Sequence, residues 1–250
     1  MTLSFDNALF ISDIHLTENR PDVVRAFFAF LQWVPESTEA LFILGDFFEY
    51  WVGDDLTTEL ADSVAAGLAQ LAATKQVQLF FVAGNRDFAL GRQYASRCQM
   101  TLLSDEARFN IAGTALVVTH GDQYCSDDVK YQRFRKVIRQ PLVLATLLRL
   151  PKKRRIRLAE RMRAGSRSHF KANPVFVDVN EQTIAAAFAR LDCTLMVHGH
   201  THRADIHRYV LDTRSHTRLV LGDWHRVGWY AQLDATGHSL HQFAIDDPTF

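Results

Sequence analysis

Asp13, His15, Asp46, Asn85, His120, His198 and His200 are seven side chains that can bind a divalent cation through oxygen or nitrogen, with no thiolate in the set. Such donors suit Mn²⁺, Fe²⁺ or Zn²⁺ in partly octahedral coordination. Seven are too many for one ion and enough for two if a carboxylate bridges, and the two oxygens of Asp46 make it the expected bridge. Taken singly, each has an ordinary reading: His120 as a hydrogen-bonded structural histidine, Asp13-Ile14-His15 as a helix cap. Two imidazoles either side of Gly199 are harder to ascribe to packing. Arg86, next to Asn85, adds a planar cation able to grip phosphoryl oxygens in pairs, its structural alternative being an ion pair with Asp87. Two cations with such an arginine are equipment for in-line attack on phosphorus, where the ions activate a water and offset the charge that builds up.

Every one of these groups follows a short apolar run. Leu41-Phe42-Ile43-Leu44 stops at Gly45-Asp46. Residues 8–12 lead to Asp13, 78–82 to Gly84-Asn85, 114–119 to His120-Gly121-Asp122, and 194–197 to His198-Gly199-His200. Such runs read as buried parallel strands, and their carboxyl ends are where open α/β sheets place ligands. Helices are expected from Pro21, with Val23, Val24, Phe27, Phe28 and Leu31 at helical spacing, and over 58–74 and 180–191. Residues 97–110 read as irregular. The aromatic and acidic stretch 47–55 is either a loop pinned by buried rings or one wall of a site. Strands at 218–221, 229–233 and 239–243 suggest a second sheet packed on the first, giving an α/β sandwich.

The 250 residues carry 28 basic and 28 acidic side chains, but not evenly. Residues 130–171 hold fifteen Lys/Arg against the single acid Glu160, which leaves 13 basic and 27 acidic residues for the rest. A single domain, 1–250, is expected, with a basic helical insertion, a lid, at about 127–172. Leu142, Val143, Leu144, Leu147 and Leu148 could line a greasy chamber there. Lys152, Lys153, Arg154, Arg155 and Arg157 could meet anionic lipid at about 1 kcal/mol each. An ordinary hairpin with a solvated basic face is the alternative, and nucleic acid is not expected because the block lacks interleaved aromatics. Cys98, Cys125 and Cys193 form no close pair and read as reduced thiols. No leader pattern and no stretch of about 20 apolar residues is present, so the protein is expected to be neither secreted nor membrane-spanning.

Together, Asp13-x-His15, Gly45-Asp46, Gly84-Asn85-Arg86-Asp87, His120-Gly121-Asp122 and His198-Gly199-His200 resemble the five motifs of the calcineurin-like metallophosphoesterases, in that family's order. The resemblance implies a β-sandwich flanked by helices with a dinuclear site at the strand ends. Asp13, His15, Asp46 and His200 would hold one ion, and Asp46, Asn85, His120 and His198 the other. His202 is left either as a group orienting the ligands or as a surface residue.

A narrower resemblance rests on Ile43-Leu44-Gly45-Asp46-Phe47-Phe48-Glu49, Trp51-Val52-Gly53-Asp54-Asp55, Gly84-Asn85-Arg86-Asp87-Phe88, Arg161-Met162-Arg163-Ala164, Asp178-Val179-Asn180 and His198-Gly199-His200-Thr201-His202-Arg203. These are similar to the UDP-2,3-diacylglucosamine pyrophosphohydrolases of lipid A synthesis. That family implies hydrolysis of an acylated sugar nucleotide to UMP and 2,3-diacylglucosamine 1-phosphate, with two Mn²⁺ per chain and Fe²⁺ or Zn²⁺ less expected. It implies catalytic roles for Asp46, His120 and Arg86. Substrate contacts would come from Asn85, Arg86, Asp128, Ser166, Lys171 and His198. Between Ser166 and Lys171 the chain is one residue shorter than the pattern, which leaves the middle contact without a counterpart. A cytoplasmic monomer, peripheral on the inner face of the bacterial inner membrane, is the expected setting. The alternatives are a sibling metallophosphoesterase acting on a soluble nucleotide or phosphoprotein, and a scaffold that keeps the fold without catalysis.

Overall fold

A short, wholly apolar segment can satisfy its backbone in the interior only by pairing with neighbours, and covered parallel sheets are where such segments collect. A computed structural model describes residues 3–172 and 178–250, the side chains of residues 164–172 excepted. The chain begins β1 (Leu3–Phe5), β2 (Ala8–Ile11), α1 (Pro21–Trp33), β3 (Ala40–Ile43), α2 (Glu59–Lys75) and β4 (Gln78–Phe81). It continues through α3 (Arg92–Arg97), β5 (Met100–Leu102), β6 (Glu106–Ile111) and β7 (Thr114–Thr119). Helices α4 (Val129–Ile138), α5 (Pro141–Leu148), α6 (Lys152–Ala172) and α7 (Glu181–Leu191) follow. The final strands are β8 (Leu195–His198), β9 (Asp205–Leu211), β10 (Arg214–Val220), β11 (Val227–Asp234) and β12 (Gly237–Ala244).

The strands form two six-stranded sheets, ordered β12-β11-β2-β3-β4-β5 and β1-β6-β7-β8-β10-β9. Strands β2 to β5 run parallel, as do β7, β8 and β10. The pleat sends alternate side chains to opposite faces. Phe10, Phe42 and Phe80 sit in register on the inner face and stack at 5.0 and 4.9 Å between centroids. Phe109 of the other sheet meets Phe42 edge-on at 4.8 Å. Leu9, Ile11, Leu41 and Ile43 point the other way, against Phe27 and Phe30 of α1 and Val64 and Leu68 of α2. On the far side Val117 and Met196 meet Ile184 and Phe188 of α7. The result is four layers, helix, sheet, sheet, helix: the α/β sandwich expected from the alternation of elements. Helix ends agree with their residues. Pro21 opens α1, Thr58 caps α2 by accepting from the Ala61 N–H, and Asn180 caps α7 through the Thr183 N–H.

One stretch departs from the sequence expectation. Residues 97–110, read as irregular, contain β5 and most of β6, and β1 and β9 were not anticipated. Each has fewer buried positions than β2, β3, β4, β7 or β8. In β6, Glu106, Arg108 and Asn110 alternate with residues facing the core, and in the edge strand β9 Asp205 and Arg208 are exposed.

Helices α4 and α5 bury no residue completely; α5 rests Leu144 and Leu148 on the core, and α4 is held by charge. Arg135 and Arg139 of α4 pair with Asp105 at 2.7 and 2.6 Å and with the buried Asp122 at 2.8 and 3.2 Å. Arg155 of α6, its side chain 3% exposed, forks onto Asp55 and donates to the Val52 carbonyl at 2.6 Å. Apolar side chains remain on the outer surface of this helical segment, among them Val129, Val137 and Leu142, the last 83% exposed. Among the described residues no helix is long and apolar enough to cross a membrane.

Candidate metal centre

Strands β2, β3 and β4 of one sheet and β7 and β8 of the other end at one edge of the sandwich. Asp13, Asp46, Asn85, His120 and His200 follow them within four residues. Backbone hydrogen bonds tie these loops in pairs: Asp13 N to Gly45 O and His15 N to Asp46 O join the loops after β2 and β3, and Gly199 N to His120 O those after β8 and β7, each 3.0 Å, while Trp224 N reaches Asp13 O at 3.1 Å. The local backbone is strained. Asp13, His15, Asp46, His200 and His202 have φ of 54°, 53°, 50°, 66° and 57°. Left-handed backbone costs a non-glycine residue about 1–2 kcal/mol and concentrates where surrounding bonds over-determine it, commonly at functional sites. Three glycines allow close approach: a Cβ at Gly199 would lie 2.0 Å from Asp13 Oδ2, one at Gly84 2.2 Å from Asp46 Oδ1, and one at Gly45, itself at φ 86°, 2.7 Å from His120 Nδ1.

The donors fall into two overlapping groups. Ligand atoms of Asp13, His15 and His202 lie within 4.8 Å of one another, and so do those of Asp13, Asp46 and His120. The Asn85 amide oxygen faces His120 Nε2 at 3.0 Å and His200 Nδ1 at 2.9 Å, and Asp46 Oδ1 lies 3.7 Å from His120 Nε2. His120 Nδ1 lies 2.8 Å from the Leu44 carbonyl, which can only accept, so this nitrogen carries the proton and Nε2 is turned toward Asn85 and Asp46. His15 is the sharpest test of fit. Both its ring nitrogens are buried without a hydrogen-bond partner among the described residues. An orphaned buried polar group costs about 1–3 kcal/mol, which a cation would offset. Oxygen and nitrogen donors without sulfur suit a divalent ion of the Mn²⁺, Fe²⁺ or Zn²⁺ type.

Burial and charge set the protonation of these groups. Burial alone would raise the Asp13 carboxyl, yet His202, His120 and His15 hold it far below the usual carboxylate range. Burial opposes protonation of His202, and the Asp13 and Asp223 carboxylates override it and raise the ring to about 10. Burial, aided by the neighbouring His120, pushes His200 down to about 4, and burial also lowers His15. Asp223 reaches His202 Nδ1 at 3.5 Å and Asp13 reaches its Nε2 at 3.2 Å, so carboxylates grip the ring from both sides.

Arg86 stands at the edge of the cluster, with its Nε 3.5 Å from Asp46 Oδ2 and its Nη1 3.4 Å from Glu49. Its backbone N–H donates to Asp46 Oδ1 at 2.9 Å. The alternative pairing with Asp87 does not form. Asp87 is fully buried and accepts instead from the Gly84 and Phe47 N–H groups, both at 2.7 Å, so it ties the Asn85 loop to the Asp46 loop. Glu49 also pairs with Arg163 of α6. Tyr131 of α4 stacks on His200 at 6.1 Å and donates to Asp122. Asp128 caps α4, accepting from the Tyr131 N–H at 2.9 Å. The side chains of Ser166 and Lys171 lie outside the described residues.

His198 stands at the strand end itself. It is the last residue of β8, where the pleat puts Leu195 and Val197 between the sheets and turns Met196 and His198 toward the α7 layer. Its Nδ1 lies 2.8 Å from the Gly199 carbonyl and its Nε2 3.3 Å from Arg218, and burial with the Arg218 charge lowers it to about 3. The nearby His200 and His120 add to that lowering. His202, read as an orienting or surface residue, is the histidine brought against Asp13 and His15, and His200 falls beside Asn85 and His120 rather than beside His15. Three histidines two residues apart are equivalent in sequence; only the end of the strand tells them apart. Asp87 and Asp122 stood inside the motifs without an assigned role, and Asp223 carried no sequence signal, since their partners are distant in the chain or are backbone amides.

Comparison with known proteins agrees with this architecture. The family model of calcineurin-like phosphoesterases matches residues 7–204. Curated relatives named UDP-2,3-diacylglucosamine hydrolase include one from Azotobacter vinelandii, 40% identical over 95% of this chain and 99% of its own. Another, from Edwardsiella ictaluri, is 43% identical over 93% of this chain and 90% of its own. A third, from Tolumonas auensis, is 41% identical over 90% and 92%. A family model spanning most of the chain, over strands that end in this cluster, leaves one conclusion: the chain belongs to the calcineurin-like phosphoesterase family.

Proposed function

We propose that this protein hydrolyses the pyrophosphate bond of UDP-2,3-diacylglucosamine, releasing UMP and 2,3-diacylglucosamine 1-phosphate. The substrate is that in the name of relatives about 40% identical over nearly the whole chain. The observation that carries the chemistry is the partnerless buried imidazole of His15 beside Asp13 and His202. Asp13, His15, Asp46 and His200 would hold one divalent cation and Asp46, Asn85, His120 and His198 a second, with Asp46 shared and His202 orienting Asp13; Mn²⁺ is the ion we assign to both. When bound, such cations lower the pKa of water and neutralise charge developing on a phosphoryl group.

The chain's own residues provide the rest. Glu49 holds Arg86 beside Asp46, where its guanidinium can take two phosphoryl oxygens as their charge rises. Asp223 fixes the ring of His202. A phosphate leaves without strong protonation, so no side chain need act as general acid on the leaving group.

Residues 127–172 serve in this reading as a lid for the acylated end. Fifteen Lys/Arg between 130 and 171, with Val129, Val137 and Leu142 exposed, suit an anionic membrane surface. Leu16, Phe48, Trp51, Leu56, Leu60 and Arg163 line a cavity of about 220 Å³ next to Glu49, room for part of an acyl chain. Asp128, Ser166 and Lys171 are assigned to substrate contact. We place the protein as a monomer on the inner face of the inner membrane. A panel assay tests the substrate: UDP-2,3-diacylglucosamine should be turned over in preference to a soluble phosphodiester, and Asp46→Ala and His120→Ala should abolish it. Preference for the soluble ester would overturn the lipid assignment, and full activity in either variant would overturn the metal chemistry.

A further inference from the structure

Not all of the basic segment faces outward. Lys152, Lys153, Arg154 and Arg157 of α6 are exposed, whereas Arg155, expected to meet lipid with them, is buried. Its Nε donates to the Leu150 carbonyl at 3.0 Å, Nη1 to the Val52 carbonyl at 2.6 Å and Asp55 Oδ1 at 2.8 Å, and Nη2 to Asp55 Oδ2 at 2.5 Å. A guanidinium leaves water at a cost that only close, well-directed pairing of this kind offsets. Gly53, at φ 128°, makes the approach possible: a Cβ there would stand 2.3 Å from Arg155 Nη1 and 2.9 Å from Leu148 Cδ2.

The loop gripped in this way, residues 49–55, is also the loop that touches Arg86. The Trp51 N–H donates to the Arg86 carbonyl at 2.9 Å, and Glu49 Oε1 faces Arg86 Nη1 at 3.4 Å. The same Glu49 oxygen pairs with Arg163, further along α6. A helix rises about 1.5 Å per residue, so Arg155 and Arg163 are two grips about 12 Å apart on one rigid rod. Arg86 is otherwise loosely held: its Nε, 3.5 Å from Asp46 Oδ2, has no hydrogen-bond partner among the described residues.

We propose that Arg155 is a positioning residue: clamped on Asp55, it seats α6 so that Arg163 holds Glu49 and Glu49 holds the Arg86 guanidinium beside Asp46. This role rests on the function proposed above. It ties the helix over the acylated end of the substrate to the group that meets the phosphoryl oxygens, so the rate of hydrolysis depends on how that helix sits.

Steady-state kinetics of the Mn²⁺-loaded full chain on UDP-2,3-diacylglucosamine, in a double-variant cycle with Glu49→Gln, test it. Arg155→Met is expected to lower kcat about tenfold with KM within about threefold, the scale for residues that couple distant groups. Glu49→Gln should lose about as much, and the double variant no more than about twofold beyond either, because both break one chain of contacts. Sites this far apart with no such chain act independently, and their losses would multiply to about a hundredfold. Asp55→Ala, at the half-exposed end of the pair, takes the place of Arg155→Met if that variant does not fold. Parental kcat in the latch variant, a rise in KM at constant kcat, or a hundredfold loss in the double variant would each overturn the proposal. A parent protein that does not hydrolyse this substrate would instead overturn the proposed function, and the same cycle is then read on bis-p-nitrophenyl phosphate.

Discussion

Gly84→Ala should disable the site through one methyl group. Gly84 needs no left-handed backbone; what it supplies is closeness. An added Cβ would stand 2.2 Å from Asp46 Oδ1 and 2.3 Å from the Asp46 backbone nitrogen. Carbon and oxygen in ordinary contact need about 3.3 Å, so the two loops must part by roughly 1 Å. Rotating the Asp46 side chain gives no relief, because the backbone nitrogen is in the way as well. Parting the loops pulls on the 2.9 Å bond from Arg86 N to Asp46 Oδ1 and on the 2.7 Å bonds that Asp87 makes to both loops. A displacement of that size costs about 10²-fold in rate, or about 2.7 kcal/mol of barrier, and overpacking costs about 1–3 kcal/mol of stability. The assay is kcat/KM on the acylated sugar nucleotide, with urea unfolding alongside. Gly237→Ala is the control, since a Cβ there meets nothing within 4 Å. It should lose some stability to local strain and keep its turnover. Gly84→Ala within about threefold of the parent, or an equal loss of turnover in Gly237→Ala, would refute the reasoning.

Arg86→Lys should lower kcat by about 10²-fold, with KM and the Mn²⁺ Kd little changed, because a lysine keeps the charge and loses the paired geometry. A rise in KM at constant kcat would show that Arg86 binds substrate uniformly instead. Chelation should lower the urea midpoint, and Mn²⁺ at about 100 times its Kd should restore about 2.7 kcal/mol per site. An unchanged midpoint would mean that the buried nitrogens of His15 are not where the ion binds.

Much of this was legible in the sequence because parallel strands covered on both faces must be apolar throughout. The runs ending at Ile11, Ile43, Phe81, Thr119 and His198 announce themselves, and polar residues directly after them mark the sheet's working edge. Strands with few buried positions give no such signal: β6 is interrupted by Glu106, Arg108 and Asn110, and β9 has no fully buried residue. Within the site, spacing could name the histidines but not sort them. His198 is the last residue of β8, whereas His200 and His202 lie past it on backbone at φ of 66° and 57°, and nothing in the spacing shows where the strand stops. Asp87 and Asp223 are recognisable only through what they touch, Phe47 and Gly84 for the one and His202 for the other.

The proposed donors come from both layers. Asp13, His15, Asp46 and Asn85 follow strands of one sheet, and His120, His198 and His200 end or follow strands of the other. Neither sheet holds a complete set, so each ion is a rivet through the seam between them. Affinity for the ion then gauges how squarely the sheets are seated. A substitution deep in the seam, such as at Phe42, would surface as a weakened metal site while the protein still folds, and mutations remote from the cluster would acquire catalytic phenotypes by that route.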